Sequence, residues 1–190
     1  MNNVYLYLYE GVPLSSVGLL YYTARLYCKE IGLSMKELPA LSYTERGKPY
    51  FREFPEIQFS LSHSGGYWAV AFSPVPIGLD LEKAREANMA SIASRFFHPE
   101  EYAYLKQQDY TDFFHIWTAK ESYVKLTGEG ITDAFMMFSV VAEGELKPPK
   151  EAHAFWFDTF LDYTLCVCAG VPFVITKQKL EQEEVKTLLE

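Results

Sequence analysis

Two carboxylates separated by one residue are the most informative chemical feature of the sequence. Asp80 and Glu82 lie in the segment from Ile77 to Glu82, where apolar and polar residues alternate. This alternation predicts a β-strand on which Gly78, Asp80 and Glu82 share one face and the aliphatic residues face the core. Carboxylates about 7 Å apart on one face could hold a hard divalent cation, which binds through oxygen. A solvated polar strand face is the ordinary alternative, and the segment alone favours it.

A second candidate segment is a predicted helix that covers residues 112–127. Trp117, Glu121 and Lys125 recur every four residues, so they are expected along one side of this helix. Lys120 is adjacent in sequence and is expected to lean to the same side. Such cations could bind an anionic ligand that a metal ion also contacts. An exposed ion pair between Glu121 and Lys125 is the ordinary alternative, and it is favoured when this helix is considered alone.

Two predicted turns contribute weaker candidates. Ser62 and His63 stand at the end of a predicted hairpin, where hydroxyl and imidazole groups could donate hydrogen bonds to a phosphate. Lys48 and Pro49 follow a glycine in a second turn. For both turns, a local structural role is the more common explanation.

Composition and charge limit the possible classes of protein. The chain has 190 residues, 49% of them hydrophobic, which is enough to bury a substantial core. A formal net charge of −8 argues against a general nucleic-acid binder, although a local site for phosphate remains possible. No apolar run approaches the roughly 18 residues of a membrane span. The three cysteines form no metal-ligand pattern, so Cys166 and Cys168 are expected to pack on one strand face, as in a cytoplasmic protein.

The order of predicted elements indicates an α+β fold of two similar subdomains. We place the division at the prolines before Ile77, which gives an N-terminal subdomain of residues 1–76 and a C-terminal subdomain of residues 77–190. The predicted strands are 4–9, 57–62, 67–72, 77–82, 138–142, 154–157 and 164–169. The predicted helices are 17–31, 88–97, 99–106 and 112–127.

Four of these segments together resemble one family, the 4′-phosphopantetheinyl transferases of the larger, surfactin-synthetase-activating type. The segments, in family order and spacing, are Gly47-Lys48-Pro49, Phe59-Ser60-Leu61-Ser62-His63-Ser64, Gly78-Leu79-Asp80-Leu81-Glu82 and Trp117-Thr118-Ala119-Lys120-Glu121-Ser122-Tyr123-Val124-Lys125. Arg95-Phe96-Phe97 and Glu100-Glu101-Tyr102 resemble the helical region between the last two. The similarity extends over about residues 16–170. Each motif is modest, but four in register make a specific signal.

The resemblance implies a fold, a reaction and a set of reacting groups. The expected fold is a pseudo-dimeric α+β monomer with coenzyme A bound between its two halves. The expected reaction transfers the phosphopantetheine arm of coenzyme A to a serine of an acyl or peptidyl carrier protein and releases 3′,5′-ADP. Asp80, Glu82 and Glu121 match the residues that surround Mg²⁺, for which Mn²⁺ is expected to substitute. Asp80, Glu121 and Lys125 are the expected catalytic residues, with Glu121, directly or through a water, as proton acceptor.

The resemblance also implies which side chains contact coenzyme A. His63 matches a contact of the nucleotide 3′-phosphate, Lys48 and Pro49 match the turn beside the adenine, and the two lysines of the helix match phosphate contacts. The complete expected set is Lys48, Pro49, Ser62, His63, Lys120 and Lys125. One departure is that residues 1–24 contain no lysine or arginine, whereas the family usually has basic residues there. We therefore expect a weaker grip on the 3′-phosphate.

Two other functions remain as alternatives at this point. A related protein without turnover could hold coenzyme A or a carrier protein, although the filled acidic and lysine positions disfavour this. A metal-dependent phosphohydrolase could use the same carboxylates, with water in place of the carrier serine. Release of 3′,5′-ADP distinguishes the transferase from the binding protein, and hydrolysis of coenzyme A without a carrier would identify the hydrolase. No membrane or nucleic-acid partner is expected.

Overall fold

The computed structural model describes residues 1–129 and 133–186. Its strands are β1 (Asn2–Glu10), β2 (Leu41–Tyr43), β3 (Pro49–Phe51), β4 (Gln58–Ser64), β5 (Tyr67–Ser73), β6 (Ile77–Lys83), β7 (Val141–Ala142), β8 (Glu145–Leu146), β9 (Ala154–Phe160), β10 (Tyr163–Ala169) and β11 (Phe173–Leu180). Its α-helices are α1 (Ser16–Glu30), α2 (Met89–Phe96), α3 (Pro99–Gln107), α4 (Phe113–Thr127) and α5 (Gln182–Lys186), and a 3₁₀ turn covers Asp133–Met136.

Two sheets packed face to face form the centre of the fold. The first has the strand order β11-β1-β5-β4, and the second has the order β6-β10-β9. Alternate side chains of β1 pack against those of β6 and β10 between the sheets, where Leu6, Leu79 and Leu165 are all fully buried. Such alternation leaves the other face of each sheet to be covered by a helix.

One long helix covers the outer face of each sheet. Helix α1 packs on the first sheet, where Leu20 and Tyr27 contact the aromatic residues of β1 and β5. Helix α4 packs on the second sheet, where Ile116 and Ala119 join Cys166 in one core cluster. The order is therefore helix, sheet, sheet, helix, which confirms the predicted α+β class.

Most predicted elements are present, usually with one or two more residues at an end. The predicted strand at 138–142 is much shorter, because only Val141–Ala142 pairs there. Strand β11 was not predicted. Most of its residues are exposed and its second half is polar, so the sequence lacks the alternation of apolar and polar residues that marks a half-buried strand. The strand pairs in parallel with β1, so the chain returns to the first sheet after completing the second. The division into residues 1–76 and 77–190 stays a proposal, and residues 187–190 lie outside the described part.

Local sequence explains where helix α4 ends. Gly128 adopts φ 73°, a left-handed conformation that glycine takes without a side-chain penalty, and its amide donates to the Val124 carbonyl. At the other end Asp112 is the N-cap residue, although its side chain makes no capping hydrogen bond. The helix therefore has a well-defined C-terminal end, which lies near strands β2 and β3.

The cysteines follow the expectation that they pack in the core. The three cysteines are free and buried, and Cys166 and Cys168 both face the α4 side of β10. This confirms that the two strand cysteines serve packing. Within residues 1–129 and 133–186, no helix combines the length and the apolar character needed to cross a membrane.

Candidate active site

Serine side chains join the two sheets where β4 lies beside β6. Ser60 Oγ accepts a hydrogen bond from the Leu79 amide at 2.9 Å, and Ser64 Oγ accepts one from the Lys83 amide at 3.0 Å. These strands belong to different sheets, so the serine hydroxyls stand where ladder hydrogen bonds would otherwise be. The contacts fix β6 against β4, and thereby fix the carboxylates that β6 carries.

Asp80 is the central carboxylate of the site. It is 3% exposed, and its Oδ1 accepts hydrogen bonds from Ser62 Oγ at 2.9 Å and from Lys125 Nζ at 2.7 Å. Its Oδ2 is buried and has no hydrogen-bond partner in the described part of the chain. A buried carboxylate oxygen without a partner is costly, so it is a natural position for a ligand.

Gly78 allows helix α4 to approach the carboxylates. A β-carbon on Gly78 would lie 1.7 Å from the Ser122 carbonyl oxygen of α4, which is far inside contact distance. Any larger residue would push the helix away. The absence of a side chain here therefore lets Glu121 and Lys125 reach the vicinity of Asp80.

Glu121 is the carboxylate contributed by helix α4. It is 6% exposed, and its side chain makes no hydrogen bond to residues 1–129 or 133–186. Burial, followed by the charge of Asp80, raises the pKa of Glu121 to about 7; Lys125 opposes this shift, and Glu82 adds a smaller increase. A carboxyl group of this kind exchanges its proton near neutral pH.

Glu82 lies at the more open end of the group. Its Oε2 accepts a hydrogen bond from Ser64 Oγ at 3.1 Å and lies 3.9 Å from the Arg85 guanidinium. Burial raises the pKa of Glu82, and the charge of Asp80 adds to this effect. The three carboxylates Asp80, Glu82 and Glu121 therefore influence one another electrostatically.

The fit of these residues to a metal ion is incomplete in this arrangement. Over residues 1–129 and 133–186, no three His, Cys, Asp or Glu side chains are gathered closely enough to hold an ion. The unpartnered Asp80 Oδ2 and the raised pKa values of Glu82 and Glu121 are what a cation would relieve. The donor chemistry suits a hard cation, but the carboxylates are not preassembled around one.

A cleft of about 480 Å³ adjoins the carboxylates. Its apolar wall comes from α1, β2, β3 and β4, and its cations come from a turn and from α4. Lys125 lines the cleft and also contacts Asp80, so the two features are continuous. The lining residues are Ser16, Val17, Leu20, Leu41, Tyr43, Arg46, Gly47, Lys48, Pro49, Phe59, Ser60, Leu61, Val124, Lys125 and Gly128.

The structure brings some of the expected coenzyme A contacts to this cleft. Lys48 and Pro49 line the cleft. Ser62 is not a lining residue, but its Oγ accepts a hydrogen bond at 3.2 Å from Nζ of Lys125, which does line the cleft. His63 is exposed near the end of β4, on the same strand face as the cleft residue Leu61 but beyond the residues that line the cleft. Strand β4 continues to Ser64, so His63 belongs to the strand and not to the turn.

Lys120 is not part of this group. Its ammonium is fully buried 2.8 Å from the Glu101 carboxylate and donates to the Phe138 carbonyl at 2.8 Å. Burial lowers the pKa of Lys120, and the adjacent Glu101 opposes that shift. The expectation that Lys120 leans to the side of Glu121 and Lys125 is wrong, because successive residues differ by about 100° around a helix. Its expected phosphate contact has no support in the structure.

Trp117 also faces away from the carboxylates. Its ring packs against Phe97, Phe113 and Phe135 with ring centroids 5.8–6.0 Å apart. The tryptophan is therefore part of the aromatic core, and the expectation that it lines the same side of the helix as Glu121 and Lys125 is wrong.

Sequence reasoning missed the structural role of the serines on β4. Ser60 and Ser64 were quoted only as part of a motif and Ser62 only as a possible phosphate contact, yet each serine hydroxyl forms a hydrogen bond with a different residue of β6. A serine at every second position of a strand is unusual for a face that must be buried, and that pattern could have identified them. Arg46, which lines the cleft, carried no distinguishing signal.

Comparison with known proteins agrees with the geometry. Residues 76–168 match the 4′-phosphopantetheinyl transferase superfamily. A 4′-phosphopantetheinyl transferase of Bacillus subtilis is 37% identical over 141 residues, which are 67% of this chain and 62% of that protein. The 4′-phosphopantetheinyl transferase Sfp of Bacillus subtilis (strain 168) is 35% identical over 142 residues, 69% of this chain and 63% of its own length.

A relative from another genus is covered more completely. The 4′-phosphopantetheinyl transferase AcpT of Salmonella typhimurium is 33% identical over 153 residues, which are 77% of this chain and 76% of that protein. The chain belongs to the 4′-phosphopantetheinyl transferase superfamily. It spans a little over three-fifths of the length of the two Bacillus relatives described above.

Proposed function

We propose that this protein transfers the 4′-phosphopantetheine arm of coenzyme A to a serine of an acyl or peptidyl carrier protein and releases 3′,5′-ADP. The observation that carries the proposal is the junction of a cleft with a carboxylate group. Lys125 lines the cleft and lies 2.7 Å from Asp80, whose other oxygen is buried without a partner. Family membership supplies the reaction type.

The proposed contacts of the coenzyme A phosphates are basic side chains of the chain itself. We propose that coenzyme A lies in the cleft with its phosphates near Lys125, and with Lys48 and Pro49 beside its nucleotide. His63, exposed beyond the cleft on the same strand face, is the proposed contact of the 3′-phosphate. Lys125 would neutralise charge on the departing 3′,5′-ADP, since a nearby cation stabilises developing negative charge.

We propose Mg²⁺, with Mn²⁺ as a substitute, as the ion that Asp80, Glu82 and Glu121 would hold. The ion would supply charge neutralisation at the coenzyme A pyrophosphate. Binding would require the three carboxylates to come closer together than they are in this structure. The buried, unpartnered Asp80 Oδ2 supports the assignment.

Glu121 is the proposed acceptor of the proton from the carrier serine. Its carboxylate is the member of the group that helix α4 presents without a hydrogen bond to the described residues, so it is available to a substrate hydroxyl. Asp80, by comparison, is already engaged by Ser62 and Lys125. We propose that the chain carries out these steps as a monomer.

Mass spectrometry of apo carrier proteins tests the proposal directly. A panel of acyl and peptidyl carriers is incubated with the protein, coenzyme A and Mg²⁺, with EDTA in a parallel series. We expect one phosphopantetheine arm on at least one carrier, formation of 3′,5′-ADP, and loss of both in EDTA that added Mg²⁺ or Mn²⁺ reverses. Hydrolysis of coenzyme A without carrier modification, or full transfer in EDTA, would contradict the proposal.

A further inference from the structure

Lys48 makes contacts that differ from those of a phosphate-binding lysine. Its ammonium donates to the Leu126 carbonyl at 3.1 Å and to the Ile77 carbonyl at 3.4 Å. The side chain is half-buried, and burial lowers the pKa of Lys48. The amine therefore lies against protein carbonyl groups at the edge of the cleft and does not extend freely into it.

The turn that carries Lys48 is well determined. Gly47 adopts φ 84°, which favours glycine, and its amide donates to the Thr44 carbonyl at 2.9 Å. The Lys48 amide donates to Thr44 Oγ1 at 3.0 Å, and Pro49 then begins strand β3. The glycine, lysine and proline of this motif thus fix the direction in which the lysine side chain leaves the turn.

The two carbonyl groups belong to the elements that carry the carboxylates. Leu126 lies in the last turn of α4, where carbonyl groups lack partners within the helix and a cation is favourable. Ile77 is the first residue of β6. One ammonium therefore connects the end of the helix that bears Glu121 with the start of the strand that bears Asp80.

We propose that Lys48 is a positioning residue, which holds helix α4 and strand β6 together at the cleft, and that it does not serve mainly to bind the 3′-phosphate of coenzyme A. The catalytic consequence rests on the proposed transferase function. The mechanical consequence does not, since it concerns contacts within the free protein. The two consequences can therefore be measured separately.

Hydrogen exchange in the free protein tests the mechanical part. In Lys48→Met, peptides that cover residues 77–83 and 121–129 should exchange several-fold faster than in the wild type, while the strands of the first sheet stay unchanged. Lys48→Arg, which keeps a donor cation, should restore most of the protection. Lys36→Met removes an exposed lysine outside the cleft and is the matched control. Unchanged exchange in a folded Lys48→Met protein would overturn the proposal.

Comparison of two donors tests the catalytic part. A loss of about tenfold in kcat/KM is expected in Lys48→Met with both coenzyme A and 3′-dephospho-coenzyme A, with recovery in Lys48→Arg. A loss confined to coenzyme A would assign Lys48 to the 3′-phosphate and overturn the proposal, as would no loss with either donor. If Lys48→Met does not fold, Lys48→Gln, a shorter side chain that retains a donor, is measured in the same way. Absence of transfer by the wild type would contradict the proposed function, whereas the exchange result would still decide the role of Lys48.

Discussion

Helix α4 carries two lysines that form ion pairs of opposite character. Lys120 and Glu101 are both fully buried, and both Glu101 oxygens accept hydrogen bonds from backbone amides. The Lys120 ammonium also donates to the Phe138 carbonyl and lies 4.0 Å from the centroid of the Phe138 ring. Lys125 is 28% exposed, and its partner Asp80 keeps one buried oxygen without any partner in the described part. The same helix therefore presents a completed pair on one side and an incomplete pair on the other.

This difference indicates which pair is structural and which is chemical. A buried charged pair with every group satisfied holds its neighbours in place and has no capacity left for a ligand. A pair that leaves an oxygen unsatisfied beside a cleft is stable enough to persist, yet gains from a ligand that completes it. The predictions below separate the two sides of α4 by measuring stability and activity together.

The largest expected effect is on transfer, at the incomplete pair. Asp80→Asn and Glu121→Gln should each reduce kcat/KM by more than about a hundredfold, because each removes a charge from the reacting group. Both proteins should remain folded, since neither change opens a cavity. Activity is measured by arm transfer to a carrier, and folding by circular dichroism. Activity within about tenfold of the wild type in either variant would contradict the site assignment.

The next effect is on stability, at the completed pair. Lys120→Met should lower the free energy of unfolding by about 3–5 kcal/mol, because it strands the Glu101 carboxylate in the core. Glu101→Gln added to Lys120→Met should recover part of that loss, because it removes the charge, although glutamine can accept only one of the two backbone hydrogen bonds. Lys125→Met should cost less, about 1–2 kcal/mol, because water can reach its position. Urea denaturation measures all three, and equal losses for the two lysines would remove the distinction.

An aromatic neighbour of Lys120 should behave in the same way. Trp117→Ala removes a ring that packs on Phe97, Phe113 and Phe135, and Phe135 also lies 5.4 Å from the Lys120 ammonium. We expect a loss of about 3 kcal/mol, with activity falling as the helix loosens. Trp117→Phe, which retains most of the ring contact, is the conservative control. An unchanged melting temperature with abolished transfer would show that Trp117 acts in the reaction, as Lys125 and Asp80 are proposed to do, and not in the stability of the core.

Sequence could predict the incomplete pair more readily than the completed one. Strand alternation puts Asp80 and Glu82 on one face, and helical spacing puts Glu121 and Lys125 on one side. Each segment alone favoured an ordinary surface role, and the resemblance to a family brought the two segments together. To predict the role of Lys120, the identity of its partner Glu101 would have to be known, and this residue lies 19 positions earlier, on α3. Only the folded chain brings α3 and α4 together, and no local pattern encodes that distance.

The fold was predictable to a similar extent and for a similar reason. Elements with strong apolar periodicity, such as β6 and β10, were found within one or two residues. Strand β11 has mostly exposed residues, and its parallel pairing with β1 joins the two ends of the described chain. Pairing over such a separation is a tertiary property, so it could not be derived from either strand alone.

A smaller effect is expected at the far end of the cleft. His63→Ala should reduce the preference for coenzyme A over 3′-dephospho-coenzyme A by about tenfold to a hundredfold, the value of one hydrogen bond to a charged group. Ser34→Ala, a change at an exposed residue outside the cleft, is the control. The ratio of kcat/KM for the two donors measures the effect. A large preference that survives His63→Ala would show that another cation, such as Arg46, holds the 3′-phosphate.

The smallest effect concerns the pH dependence of stability, and it follows from the buried position of Glu121. Its pKa is raised from the ordinary 4.5 to about 7, first by burial and then by the charge of Asp80, so the folded state favours the protonated form. Below about pH 4.5 the carboxyl group is protonated in both states and costs nothing. As the pH rises towards 7, only the unfolded state loses its proton, and the native protein becomes less stable. Above pH 7 the loss is constant.

Glu121→Gln stays neutral throughout, so its advantage over the wild type should be small at pH 5 and largest at pH 8. The full shift corresponds to about 3 kcal/mol at most, and relaxation around the charge should reduce the difference to about 1–2 kcal/mol. Urea denaturation of both proteins in chelator at pH 5, 6, 7 and 8 measures it, and the comparison cancels the other titrating groups to a first approximation. Glu143→Gln, at an exposed ion pair, is the control. A difference that does not change between pH 5 and 8 would show that Glu121 is ionised throughout, and that the incomplete side of α4 is already compensated without a ligand.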